Sequence, residues 1–274
     1  MARGDVPHMS TFESYVLDYE TAVDPALQQE LVRLDTLLRV RYGMSDEHTA
    51  VGVLDLLSLR LAMIRPDREE YAASVAKIAI LLAYFEHWRE AGMALDPQAR
   101  HDLGLMTKSS SNELAAQFSR QLGLERIQQI LNSHGFYDPR RGGGIWMGKH
   151  YGEDSERFGD PVGNNSHAAT VRQLMRFYLL LEQGRLLSEP ASAVMRDIFD
   201  SPEIPQDQIK FVRGLQGRGV SLRRKWGSWE NWLHDSAVIT GPGRHYILVA
   251  LTHHVRGDEY LEHLARAVDT LLTR

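Results

Sequence analysis

The chain has 274 residues, 43% of them hydrophobic, which is enough to bury a large core in one enzyme-sized domain. Its net charge of −5 and pI near 6.2 argue against a general polyanion binder, so clusters such as Arg140-Arg141 and Arg223-Arg224-Lys225 read as rim charges for a carboxylated substrate and not as a nucleic-acid patch. The absence of cysteine excludes disulfides, thiolate catalysis and cysteine-ligated zinc.

The segment Met1–Ser10 lacks an apolar core of signal-peptide length, and no later stretch has the length of a membrane span. From Pro25 to Tyr42, apolar residues at Leu27, Leu31, Leu34, Leu37 and Leu38 predict an amphipathic helix that starts after an Asp24 cap. Two strands are expected between residues 50 and 64. A long block from Ser74 to roughly Ser201 reads as helices separated by loops, with Gly142–Gly144 as its most flexible part. Residues 201–208, rich in proline and acids, read as a loop back to the sheet. Strands return between Val220 and Thr252, and Tyr260 to Leu272 reads as a closing helix. His253-His254 falls where the last strand ends, and neighbours on a strand point to opposite faces, so the pair is a poor chelate and no metal is expected. Strands at both chain ends around a helical middle imply an α+β fold, with one antiparallel sheet built from both ends and an all-helical subdomain beside it. The active site is expected at the seam.

Three short motifs carry chemistry. Ser74-Val75-Ala76-Lys77 puts a hydroxyl and an amine three residues apart on a helix, a nucleophile beside its base. The apolar run that follows buries the Lys77 stem and lowers its pKa, because burial disfavours the charged amine. Only five of the 31 basic residues are lysines, which marks this one as chosen for chemistry. In Ser110-Ser111-Asn112, at the start of a helix, Ser110 can pass protons while Asn112 holds a substrate amide. Lys225-Trp226-Gly227 lies just before an apolar strand.

In this order and at these separations the motifs resemble the penicillin-recognising serine hydrolases, the class A β-lactamases, DD-peptidases and their relatives, whose signature is Ser-x-x-Lys, Ser-x-Asn and Lys-Thr/Ser-Gly. The resemblance covers nearly the whole chain and implies a β-lactamase-like αβα fold. It makes residues 1–274 one domain, with a sheet subregion near 20–66 and 210–274 and a helical subregion near 67–209. It implies that Ser74 is acylated, Lys77 activates it, Ser110 shuttles protons and Lys225 draws in the substrate carboxylate. Asn112, Trp226, Gly227 and Ser228 would bind substrate, with the backbone N–H groups of Ser74 and Ser228 as the oxyanion hole. No cofactor is implied, and the partner is a small molecule: a β-lactam, an ester or a D-amino acid peptide. A monomer or weak dimer is expected. Relatives of this family usually work outside the cytoplasm, and the compartment of this chain stays open.

Two departures from the family pattern stand out. Trp226 replaces the Thr or Ser whose hydroxyl helps bind a carboxylate, and Ser228 is a candidate replacement. The deacylating Glu-x-x-Leu-Asn loop is absent, Trp146-Met147 standing where an aromatic-Glu pair is expected. Glu153 and Glu156 are the nearest candidate carboxylates for deacylation. Three functions therefore remain open: a serine hydrolase of the β-lactamase, penicillin-binding or esterase type, a non-hydrolytic binding module, and an acyltransferase.

Overall fold

The structure, a computed structural model, describes residues 11–92, 94–152 and 156–273. Helix α1 (Pro25–Tyr42) starts as its sequence dictates. The Asp24 carboxylate accepts the Leu27 N–H at 2.8 Å, Pro25 occupies the first turn, and Gly43 ends the helix at φ 68°. Strands β1 (Thr49–Asp55) and β2 (Arg60–Ile64) follow, then a short β3 (Glu70–Tyr71).

The helical region comprises α2 (Lys77–Ala91), α3 (Pro97–Lys108), α4 (Asn112–Leu122) and α5 (Leu124–Ser133). Short strands β4 (Tyr137–Asp138), β5 (Gly143–Gly144), β6 (Trp146–Met147) and β7 (His167–Ala169) lead to α6 (Val171–Glu182), α7 (Glu189–Asp200) and α8 (Lys210–Gly214). The chain closes with β8 (Ser221–Trp229), β9 (Trp232–Gly241), β10 (Arg244–His253) and α9 (Gly257–Leu272).

The main sheet has the order β2-β1-β10-β9-β8, so the N-terminal strands pair with the C-terminal ones and β8 is an edge. The joint is β1 against β10, antiparallel, with Val51 opposite Ala250. Alternate residues serve opposite faces. Leu54, Ile247 and Val249 join the core with α2 and α6, whereas Val51, Val53 and Leu248 join Leu31 of α1 and Leu264 of α9. Covering both faces makes three layers of an α+β protein. Helix α6 lies against the sheet so closely that a β-carbon on Gly52 would sit 2.1 Å from Met175 Sδ. Helix α2 is buried on all sides from Lys77 to Ala83, as its apolar sequence there requires, and its last turn emerges into solvent.

The middle block departs from the expectation of helices and loops. Strands β3, β7 and β6 form a second, three-stranded sheet, and β4 pairs with β5. Gly143 and Gly144 are buried and strand-paired, and a β-carbon on Gly143 would overlap the Glu69 carboxylate. Their positive φ angles, 92° and 151°, serve this close packing, which corrects the reading of Gly142–Gly144 as the most flexible loop.

Candidate active site

Ser74 is the second residue of a 3-10 turn, Ala73–Ala76, and the α-helix begins at Lys77. The turn is entered through Ala73 at φ 45°, a strained angle for a residue with a β-carbon. It is held by the Tyr151 hydroxyl, which donates to the Ala73 carbonyl at 2.8 Å, and by the Ala72 N–H, which donates to the His167 carbonyl at 3.0 Å. The Ser74 N–H lies ahead of the first bond of the turn, from Val75 N–H to the Ala72 carbonyl. Edge strand β8 closes on it: a β-carbon on Gly227 would lie 2.8 Å from the Ser74 nitrogen and 3.0 Å from that of Val75. Only glycine admits this contact. Behind β8, His234 Nε2–H donates to the Tyr71 carbonyl at 2.7 Å while its Nδ1 accepts the Thr252 N–H at 3.1 Å, and burial draws the imidazole down to about 3.

Lys77 is fully buried, and burial lowers its ammonium to about 7. Its Nζ donates to the Ser110 carbonyl at 2.6 Å, to Ser110 Oγ at 3.1 Å and to Asn112 Oδ1 at 2.7 Å. It also lies 4.6 Å from the centre of the Tyr151 ring. None of these hydrogen bonds reaches Ser74, which corrects the expected direct contact. The helix boundary falls between the two residues, and the Ser110–Asn112 turn supplies the acceptors a buried amine needs. That turn is strained at Ser110, φ 58°, and is capped by Ser111 Oγ, which accepts the Leu114 N–H at 3.2 Å.

Lys225 Nζ donates to Ser110 Oγ at 2.9 Å and to the Trp226 carbonyl at 2.7 Å, so Ser110 Oγ bridges two lysines. Burial, reinforced by the charges of Lys77, Arg224 and Lys210, holds Lys225 well below the usual lysine range. The sequence reading missed Lys210. It reaches from α8 with φ 53° to donate to the Gly227 carbonyl at 2.7 Å and to Ser228 Oγ at 2.6 Å, and burial lowers it to about 8 despite the opposing charge of Asp258. Buried Arg224 sets its position by donating to Asp235 at 2.9 Å and to the Asp207 and Ile209 carbonyls at 3.0 Å.

Trp226 is placed differently from the expectation of a substrate contact. Its indole N–H donates to Asp207 at 2.9 Å, and its ring lies 5.0 Å from both the Lys210 and the Lys225 ammonium. It does not line the cavity above Ser74, whereas Ser228 does. That cavity, about 730 Å³, is lined by Ser74, Asn112, Ser166, His167, Trp229 and Trp232 among others, and by no carboxylate among the described residues. Glu156 is exposed and outside it, which removes this candidate for deacylation; Glu153 lies outside the described residues.

Tyr151 and His167, also missed, stack beside the Ser74 turn with ring centres 4.2 Å apart. Lys210 had a visible signal. It is one of only five lysines, and four of them, Lys77, Lys149, Lys210 and Lys225, converge on this site.

A sheet seam joining Ser-x-x-Lys, Ser-x-Asn and a basic edge strand defines the serine β-lactamase and penicillin-binding class of fold. The chain belongs to the β-lactamase enzyme family, whose model matches residues 99–273. Its fold is similar to that of the β-lactamase from Sphaerobacter thermophilus, with 16% identity, coverage of 89% of this chain and 97% of that one, and a TM-score of 0.71. It is similar also to that of PBP-A, with 17% identity, 89% and 97% coverage and a TM-score of 0.67. Among curated proteins it is 26% identical over 230 residues to "Putative lipoprotein LppW" of Mycobacterium tuberculosis and of Mycobacterium bovis, an alignment covering 77% of this chain. The chain spans 66% of the length of those relatives.

Proposed function

We propose that this member of the serine hydrolase superfamily works through an acyl-Ser74 intermediate on a β-lactam or a related ester or amide that carries a carboxylate. The observation that carries this reading is the buried Lys77 amine, drawn to about 7 and fixed against Ser110 and Asn112 beside the cavity that exposes Ser74. In its neutral form Lys77 has two N–H donors, so it releases one of its three donated bonds, and the lone pair, turned to Ser74, takes up the Ser74 proton as Oγ attacks the acyl carbon. Ser110 Oγ, between Lys77 and Lys225, hands a proton to the leaving group. The Ser74 and Ser228 N–H groups stabilise the oxyanion. With Asn112 Oδ1 occupied by Lys77, the amide N–H₂ of Asn112 is left for the substrate. The Ser228 hydroxyl, which lines the cavity and accepts from the buried Lys210, takes the place of the usual Thr or Ser as carboxylate anchor.

One observation favours a second reading, a penicillin-binding or DD-peptidase-like protein that deacylates slowly: no carboxylate among the described residues lines the cavity. The LppW relatives, named as lipoproteins, support a site of action outside the cytoplasm. Incubation with a fluorescent penicillin and a p-nitrophenyl ester, read by intact mass and turnover beside Ser74→Ala, tests both. Catalytic ester or β-lactam release that disappears in Ser74→Ala supports the hydrolase. A stable Ser74 adduct without release supports the second reading, and inertness of the unaltered protein refutes both.

A further inference from the structure

We propose that Ser166, hydrogen-bonded to His167, is the group that activates water to release the acyl chain from Ser74. This inference rests on the acyl-Ser74 reading above and supplies a base on the water side of the ester, where no carboxylate among the described residues lines the cavity.

The placement follows from strand pairing. Strand β7 lies antiparallel to β3, with Ala168 opposite Tyr71, and the pairing continues in the bond from Ala72 N–H to the His167 carbonyl at 3.0 Å. Residues 166 and 167 are thereby registered to the residues just before Ser74, and both line its cavity. His167 Nε2 lies 2.9 Å from the Lys149 carbonyl. A carbonyl only accepts, so Nε2 carries the proton and Nδ1 presents a lone pair. Ser166 Oγ lies 3.2 Å from that Nδ1 and donates to it. The stack on Tyr151 holds the imidazole plane. The arrangement has the logic of a hydroxyl, its base and an orienting acceptor.

Burial, with the nearby charges of Lys77, Lys149 and Arg157, keeps His167 near 4, and its ring also meets that of Tyr71 edge-on. It is therefore unprotonated at neutral pH and comparable in basicity to the carboxylate it replaces.

The step balances. Water oxygen bonds to the acyl carbon while its proton passes to Ser166 Oγ and the Ser166 proton to His167 Nδ1. As the tetrahedral adduct collapses, the bond from carbon to Ser74 Oγ breaks and the proton returns through Ser166 to Ser74 Oγ. The products are the free acid and the original side chains. Ser166 is thus the catalytic residue, and His167 a positioning residue that acts through it.

The test is burst and steady-state kinetics with a p-nitrophenyl ester, with the acyl-enzyme followed by intact mass, in the unaltered protein, Ser166→Ala, Ser166→Thr and His167→Asn. In Ser166→Ala the burst is expected at close to the original rate, while steady-state release falls by about 100-fold and the Ser74 adduct accumulates. Ser166→Thr, which keeps the hydroxyl, recovers most of the release. The unaltered protein loses deacylation as pH falls through about 4, and Ser166→Ala lacks that limb. His167→Asn is read only if its melting temperature is kept, and Ser166→Ala stands as the test otherwise. Equal release by Ser166→Ala, or a comparable loss on replacing the other cavity imidazole by His150→Ala, overturns the proposal while leaving the acyl-Ser74 reading intact. A persistent adduct on the unaltered protein likewise overturns it. Failure of the unaltered protein to form any adduct overturns both.

Discussion

Replacing Lys77 by methionine keeps the buried stem and removes only the amine. Moving a lysine from 10.5 to about 7 corresponds to about 5 kcal/mol against its charged form, a cost that methionine escapes. In exchange, the Ser110 carbonyl, Ser110 Oγ and Asn112 Oδ1 lose a donor, at about 1–3 kcal/mol for each acceptor left unsatisfied. The two terms are of similar size, so the discriminating quantity is the dependence on pH. Because the folded-state value lies below the unfolded one, the unfolded chain binds more protons between pH 7 and 10.5, and stability rises with pH across that window. The slope is about 0.7 kcal/mol per pH unit at pH 7, where the folded-state amine is half protonated, and rises to about 1.4 above pH 8, which amounts to about 2 kcal/mol from pH 7 to 9. Lys225, relieved of a neighbouring charge in the variant, shifts the comparison in the same direction. Urea unfolding at pH 7, 8 and 9 should therefore show the unaltered protein gaining at least about 2 kcal/mol relative to Lys77→Met. Parallel stability curves would refute the buried, neutralised amine.

Gly227→Ala forces a β-carbon against the Ser74 and Val75 nitrogens, so a loss of about 1–3 kcal/mol is expected in thermal unfolding together with an acylation rate reduced about 100-fold. An alanine variant that acylates normally would show that the seam is not as tight as described. Lys210→Met removes the cation bonded to Ser228 Oγ and should raise KM about tenfold for a carboxylated acyl donor while leaving a neutral ester unaffected; equal effects on both would remove Lys210 from carboxylate recognition. Burial and the neighbouring Asp160 raise Glu69 to about 8. Its contribution is present below pH 4.5 and is lost as pH rises through 8, so Glu69→Gln should flatten the fall in melting temperature between pH 5 and 8. An unchanged profile would count against a Glu69 carboxyl that stays protonated in the fold.

What the sequence disclosed was local. Asp24 and Pro25 announce α1, the apolar periodicity places the long helices and strands, and a lysine in an arginine-rich chain marks the proposed base. The boundary between the 3-10 turn and α2 was not legible, because Ser74 and Lys77 are three apart in either helix type, and what separates them is the pull of Ser110 and Asn112 from another element. The two- and three-residue strands β3 to β7 are too short for any periodicity to register. Lys210 depends on a long-range clamp, Arg224 on Asp235 and on the carbonyls of the α8 approach, that no window of sequence contains. Trp226 occupies the position of a substrate-binding hydroxyl in its motif, yet Asp207 and two lysines hold the ring outside the cavity lining.

The most direct measurement is the single-turnover acylation rate of Ser74 as a function of pH, with the adduct located by peptide mass. The rate is expected to rise with one inflection near pH 7, as Lys77 gives up its proton, and the adduct to fall on Ser74 alone. A rate that climbs steadily to pH 10 without that inflection, or an adduct on another residue, would contradict a buried amine acting as the base for this serine.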